Sequence, residues 1–111
     1  MMRKKPQPPK PDKIRRITGS FGWIDHRFVR DGFMQLLKPT ELLLYFFLAT
    51  VADAKGISYY GEDTICYLLR IPYEHALRGT IAELVDRGLI AYKRGVFQVL
   101  PLPPKPSRGA Q

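Results

Sequence analysis

Reactive side chains are scarce in these 111 residues, which contain one cysteine, Cys66, and two histidines, His26 and His75. A lone cysteine excludes an internal disulfide and the usual thiolate metal sites. Inside a helical pattern, Cys66 reads as a small, partly buried packing residue. His26 sits beside Asp25 and Arg27 with no second ligand-type neighbour, so it reads as a surface residue. There is no glycine-rich phosphate loop, no His/Cys set at metal spacing, and no nucleophile motif around Ser20, Ser58 or Ser107. Enzymatic chemistry, a cofactor and a bound metal are therefore not expected. The most apolar stretch, residues 42–52, is far short of the ~20 residues that cross a bilayer. The basic N-terminus has no apolar run behind it, unlike a secretory signal. Together these features point to a soluble chain in a reducing cytoplasm.

What the chain has in excess is positive charge, +8 overall. Residues 21–100 carry nine basic and nine acidic side chains, so the excess lies outside them. Residues 1–20 hold Arg3, Lys4, Lys5, Lys10, Lys13, Arg15 and Arg16 against Asp12, interleaved with Pro6, Pro8, Pro9 and Pro11. Prolines and like charges build no core, so this segment is expected to be an extended, mobile arm. It is either a solubilising tail or an arm that lies along phosphates or in a minor groove. At the other end Pro101, Pro103, Pro104 and Pro106 forbid continued sheet. The expected division is a flexible arm over 1–20, a folded domain over 21–100 and a disordered proline-rich tail over 101–111.

Within the domain, residues 21–24 (F-G-W-I) read as an edge strand or an extended piece pinned on the core. Asp25 suits an N-cap, and 26–37 carry apolar residues at helical spacing, broken or kinked at Gly32. Pro39 opens a helix whose run L-L-L-Y-F-F-L-A-T-V-A is apolar all round. Such a helix must be covered all round, and any face left over would be a dimer seam. Residues 57–60 can form a short strand. Residues 62–69 place Ile65, Leu68 and Leu69 on one face, and Pro72 is suited to the first position of a second helix over 72–87. That helix carries Tyr73, Leu77, Ile81, Leu84 and Val85 on one side and stops at Gly88. Residues 89–93 and 96–100, joined by Arg94-Gly95, read as a hairpin with a primed two-residue turn.

Two short helices joined by a turn and closed by a hairpin form a winged helix-turn-helix. The residues carry a family resemblance. P-Y-E-H-A-L-R-G-T-I-A-E-L-V-D-R-G-L-I-A-Y-K-R-G-V-F resembles the recognition helix and wing of bacterial winged helix-turn-helix proteins. K-P-T-E-L-L-L-Y-F-F-L-A-T-V-A-D with G-I-S-Y-Y-G-E-D-T-I is similar to the front half of that domain in DnaD-type and plasmid replication initiators. The resemblance covers roughly residues 21–100. It implies an α+β fold of about four helices with a small antiparallel wing and a possible third short strand. The fold serves transcription, replication and plain protein contacts alike.

As a recognition helix, 72–87 would offer base edges Tyr73, Glu74, His75 and Arg78, Arg gripping guanine and Glu accepting from cytosine. Gly79 and Ala82, small and outward, would admit either a phosphate backbone or another helix. Arg70 in the turn and Lys93 and Arg94 at the wing tip would touch phosphates. Glu74, Glu83 and Asp86 oppose a phosphate surface, so the arm or a second subunit must supply cations. The expected function is sequence-specific binding of double-stranded DNA by a cytoplasmic, nucleoid-associated homodimer. Its role would be transcription regulation, or an accessory one in DNA replication or a mobile element. The alternative is a protein-interaction winged helix that docks onto a larger nucleoprotein assembly. A third reading is a single-strand or RNA binder stacking bases on Trp23, Tyr59 and Tyr60, although core packing is the expected fate of Trp23.

Overall fold

A computed structural model describes residues 7–107. Arg3, Lys4 and Lys5 of the arm, and the end of the tail from residue 108, lie outside the described residues. Four α-helices and a three-stranded antiparallel sheet follow in the order α1 (Arg27–Arg30), α2 (Pro39–Val51), β1 (Ile57–Tyr59), α3 (Glu62–Leu69), α4 (Glu74–Asp86), β2 (Ile90–Lys93) and β3 (Val96–Val99). The sheet order is β1-β3-β2, with Ile57 opposite Gln98 and Ile90 opposite Val99. This α+β arrangement is compatible with a winged helix.

The post of the domain is α2. Pro39 occupies its first turn, and the carboxylate of the buried Glu41 turns back to accept the Lys38 amide at 3.0 Å. That bond satisfies one of the helix's otherwise unpaired N-terminal donors. Leu44 and Leu48 are fully buried and meet Phe28, Ile65, Leu77, Ile81, Leu84, Leu89, Ile90 and Phe97 in one continuous core. Phe28 stacks on Tyr45 with ring centroids 4.6 Å apart. The helix is not covered all round, however, because Leu43 and Phe46 stay partly exposed. The stretch before it is broken as its sequence suggested. Gly32, at φ +88°, separates α1 from a 3-10 turn at Met34–Leu36. Asp25 caps α1 through its carboxylate, which accepts the Arg27 amide at 2.9 Å.

Several expectations are corrected. Residues 21–24 form no strand. Gly22 lies against the carbonyl of Ala49, and its neighbours Phe21 and Trp23 are thrown outward, Trp23 to 75 % exposure rather than into the core. Only Ile24 of this run packs on the core. Tyr73, Leu68 and Val85, assigned to apolar faces by their spacing, are exposed, whereas Thr80 is buried. Two helices this short present only a narrow stripe to a core this small, so residues at the stripe's edge stay wet.

The chain beyond β3 is also tied down as far as Ser107. Arg27 donates to the carbonyls of Pro103 (2.6 Å), Pro104 and Leu102, and Arg87 donates to that of Ser107 at 2.9 Å. Leu102 joins the edge of the core. A proline-rich segment donates few backbone hydrogen bonds but keeps every carbonyl, so arginines are suited to hold it.

Between α2 and β1, the Asp53 carboxylate accepts the amides of Lys55 and Ile57 at 2.8 and 2.9 Å. These bonds, that to Ile57 first, hold its carboxyl below the ordinary aspartate range. A depressed carboxyl contributes stability above its unfolded pKa and loses it as pH falls through the folded one. An NMR titration should therefore show the Lys55 and Ile57 amides moving together only under strongly acidic conditions, below the titration of an unstructured aspartate. A second check concerns Gly22. A Cβ there would run into the Ala49 carbonyl, so Gly22→Ala should destabilise by about 1–3 kcal/mol in denaturant unfolding as the segment lifts off.

Candidate nucleic-acid interface

The junction of α3 and α4 determines what the domain can present. Arg70 closes α3 in the left-handed conformation, φ 59°. The Ile71 amide then donates to the Cys66 carbonyl at 2.9 Å, the six-to-one bond of a Schellman turn. This reversal drives Ile71 into the core, where it is 7 % exposed. Pro72 and Tyr73 follow outside the helix, with Tyr73 extended, and α4 begins at Glu74 rather than at Pro72. Proline's preference for the first helical position yields here to the anchoring of Ile71. Two further residues, about half a turn, would be needed to bring residue 72 into the helix.

On α4 itself Leu77, Thr80, Ile81 and Leu84 face inward. His75, Arg78, Gly79, Ala82 and Asp86 face outward together, as their spacing required. Nothing lies within 4 Å of where a Cβ on Gly79 would be. Tyr73 stacks on His75 at 5.3 Å, which makes one flat aromatic patch at the start of the helix. The wing is the β2–β3 hairpin, turned through Arg94 (φ 50°) and Gly95 (φ 81°). Two successive positive φ values define a type I′ turn, as expected of the two-residue loop. Tyr92 and Phe97 pack across the hairpin at 4.4 Å.

Electrostatically the outward face is mixed. Arg78 donates to Glu62 at 2.9 Å and to Glu74 at 3.2 Å, so the side chain best suited to read guanine is held by two carboxylates. Burial first, then the charges of Glu74, Glu62 and Asp63, push the Cys66 thiol above its usual range despite the opposing Arg78. The sequence spacing did not reveal the Glu62–Arg78 pair, which joins residues 16 apart across two helices. Beside it a shallow groove of about 360 Å³ runs between α4 and the wing, with Ile81, Ala82, Val85 and Tyr92 as its apolar floor. The cations stand apart from this face. Arg70, Lys93 and Arg94 are exposed, and Lys10, Lys13, Arg15 and Arg16 lie in an arm that is exposed throughout 7–20. Of the stacking candidates, Trp23 and Tyr59 are exposed, whereas Tyr60 packs edge-on against Phe47 at 5.1 Å.

Among the described residues, the only two non-glycine positions at positive φ are Arg70 and Arg94. Both are surface cations flanking α4. No group of three His, Cys, Asp or Glu among the described residues could hold a metal ion. No helix among them is long and apolar enough to cross a membrane. No protein-family model, curated protein or solved structure matches the chain.

A left-handed L-residue costs roughly 1–2 kcal/mol, part of which glycine's own backbone entropy offsets. Arg70→Gly and Arg94→Gly should each raise the unfolding free energy by roughly 0.5–1 kcal/mol in denaturant titrations.

Proposed function

We propose that this chain is a winged helix that binds double-stranded DNA, with α4 entering the major groove and the turn and wing holding the phosphates on either side. The observation that carries this reading is the pair of left-handed arginines. Arg70 and Arg94 occupy the two backbone positions where glycine or asparagine would be cheaper. They bracket a helix whose outward side is small and open at Gly79 and Ala82. Strain retained at two exposed cations on either side of one helix fits phosphate contacts better than it fits packing. The basic arm adds the long-range attraction that a formally neutral body does not supply.

The Arg78 clamp does not argue decisively against this. Exposed ion pairs are worth roughly 0.2–1 kcal/mol each. A bidentate contact to guanine is worth roughly 1–3 kcal/mol of discrimination, so exchange of partners is feasible, though at reduced affinity. The role follows the family resemblance: transcription regulation, or an accessory part in replication or a mobile element. A homodimer would place two copies of α4 about one DNA turn apart. The partly exposed Leu43 and Phe46 of α2 are the candidate seam.

A second reading, docking onto a protein assembly, is favoured by the carboxylates around α4, which suit a cationic protein surface better than DNA. Titration of fluorescent duplexes at several salt concentrations decides between them. Arg70→Gly and Arg94→Gly should each lower affinity uniformly across sequences and reduce the salt slope by about one. Arg78→Ala should erase sequence preference, whereas Glu62→Gln with Glu74→Gln should tighten binding severalfold by freeing the guanidinium. If no duplex is preferred and neither arginine changes the salt slope, the docking reading replaces this one.

A further inference from the structure

The groove between α4 and the wing has a chemistry that a phosphate surface does not explain. Its floor is apolar, made of Ile81, Ala82, Val85 and the ring of Tyr92, and its rim carries Glu62 and Asp86. The one cation in its lining, Arg78, is already paired with Glu62 and Glu74. Glu62 and Glu74 share the single charge of Arg78, and Asp86 adds another carboxylate. The apolar, aromatic-edged trough therefore keeps a net negative rim, which suits an extended peptide that carries prolines and positive charge.

The chain contains such a peptide. Residues 7–17 (Q-P-P-K-P-D-K-I-R-R-I) combine three prolines and two isoleucines with four cations against a single acid. Ile14 and Ile17 are exposed, at 60 % and 48 %. Proline narrows the backbone to few conformations, among them the 3-10 turn at Pro11–Lys13, so less conformational entropy is lost on docking. A short tether also holds the arm at an effective concentration in the millimolar range, so even a weak contact would be well populated.

We infer that the groove lined by Glu62, Ile81, Ala82, Val85, Asp86 and Tyr92 is a docking site for the chain's own basic, proline-rich arm. Lys10, Lys13, Arg15 and Arg16 would face the carboxylates, and the prolines and isoleucines would lie on the floor. Taken with the duplex reading of α4, on which this consequence rests, docking would bring the arm over the helix from the open position it has in this structure, where residues 7–20 are exposed. Phosphates would then draw the same cations away and uncover it, so the arm acts as both guard and anchor.

The test uses a fluorescein-labelled peptide of residues 7–17 and the full-length chain, read by anisotropy in the absence of nucleic acid. The peptide should bind saturably. Glu62→Gln with Asp86→Asn should weaken it roughly three- to tenfold, as expected for the loss of two exposed ion pairs. Ala82→Trp, an exposed position whose new ring would fill the floor, should weaken it at least as much. Neutralising the arm in the protein itself (K10Q, K13Q, R15Q and R16Q together) should tighten peptide binding, because the tethered competitor is gone. Circular dichroism confirms that each variant is folded. The inference is overturned if the peptide does not bind. It is overturned equally if binding ignores both groove variants, or if the neutralised arm leaves the affinity unchanged. Because no duplex enters the assay, failure here leaves the DNA reading intact, and failure of duplex binding leaves this result intact.

Discussion

The burial of Ile71 is the constraint on which the presentation of α4 depends. The left-handed turn at Arg70 carries the chain back over the end of α3, and the Ile71 amide bonds to Cys66 so that its side chain drops into the core. Once that anchor is set, the direction of α4 has little freedom. Leu77, Ile81 and Leu84 must follow Ile71 onto the surface of α2. His75, Arg78, Gly79 and Ala82 are then outward by geometry alone, since positions one helical face apart cannot both be buried. The strain at Arg70 thus has a structural effect, the orientation of α4, independent of any ligand. Glycine would do that part of the work more cheaply, and the proposed phosphate contact at Arg70 rests on that difference.

The charges are arranged on a different principle from the core. The folded body is formally neutral and the surplus sits in the terminal segments. Around α4 the carboxylates of Glu62 and Glu74 quench Arg78, while Arg70, Lys93 and Arg94 stand clear at the periphery. A polyanion approaching this face would meet cations at its borders and a near-neutral or acidic centre. That distribution favours contacts that position over contacts that specify. On the proposed duplex reading, the arm would supply the affinity that this near-neutral centre does not.

Most of the architecture was legible because it rests on short-range rules. Pro39 opened a helix, Gly32 broke one, Arg94-Gly95 made a primed turn, and the two arms of the wing, rich in β-branched and aromatic residues, paired across it. What escaped were outcomes of competition between distant groups. Pro72 lost its helical position to the anchoring of Ile71. Trp23 turned outward because Gly22, beside it, had to touch the Ala49 carbonyl. Residues 101–107 were read as free tail, because nothing local in a run of prolines announces that two arginines, 75 and 20 residues earlier, will hold its carbonyls. The site candidates fared similarly. Their exposure followed from helical periodicity, but the clamp on Arg78 did not, because its stronger partner comes from another helix.

Arg27 and Arg87 show the consequence for how a basic chain of this kind should be read. Each is counted among nine body cations, yet each donates to backbone carbonyls of the tail as well as to a carboxylate, Asp31 for one and Glu83 for the other. With Arg78, and with Arg30 on Asp31, they make four arginines already engaged within the fold. Among the described residues the cations outside an ion pair are fewer than the composition suggests, and apart from Lys38, Lys55 and Lys105 they lie at the turn, the wing tip and the arm. Formal charge therefore overstates the attraction of the body and hides where it acts. For a domain this small, the placement of these unengaged cations decides which surface a polyanion meets first.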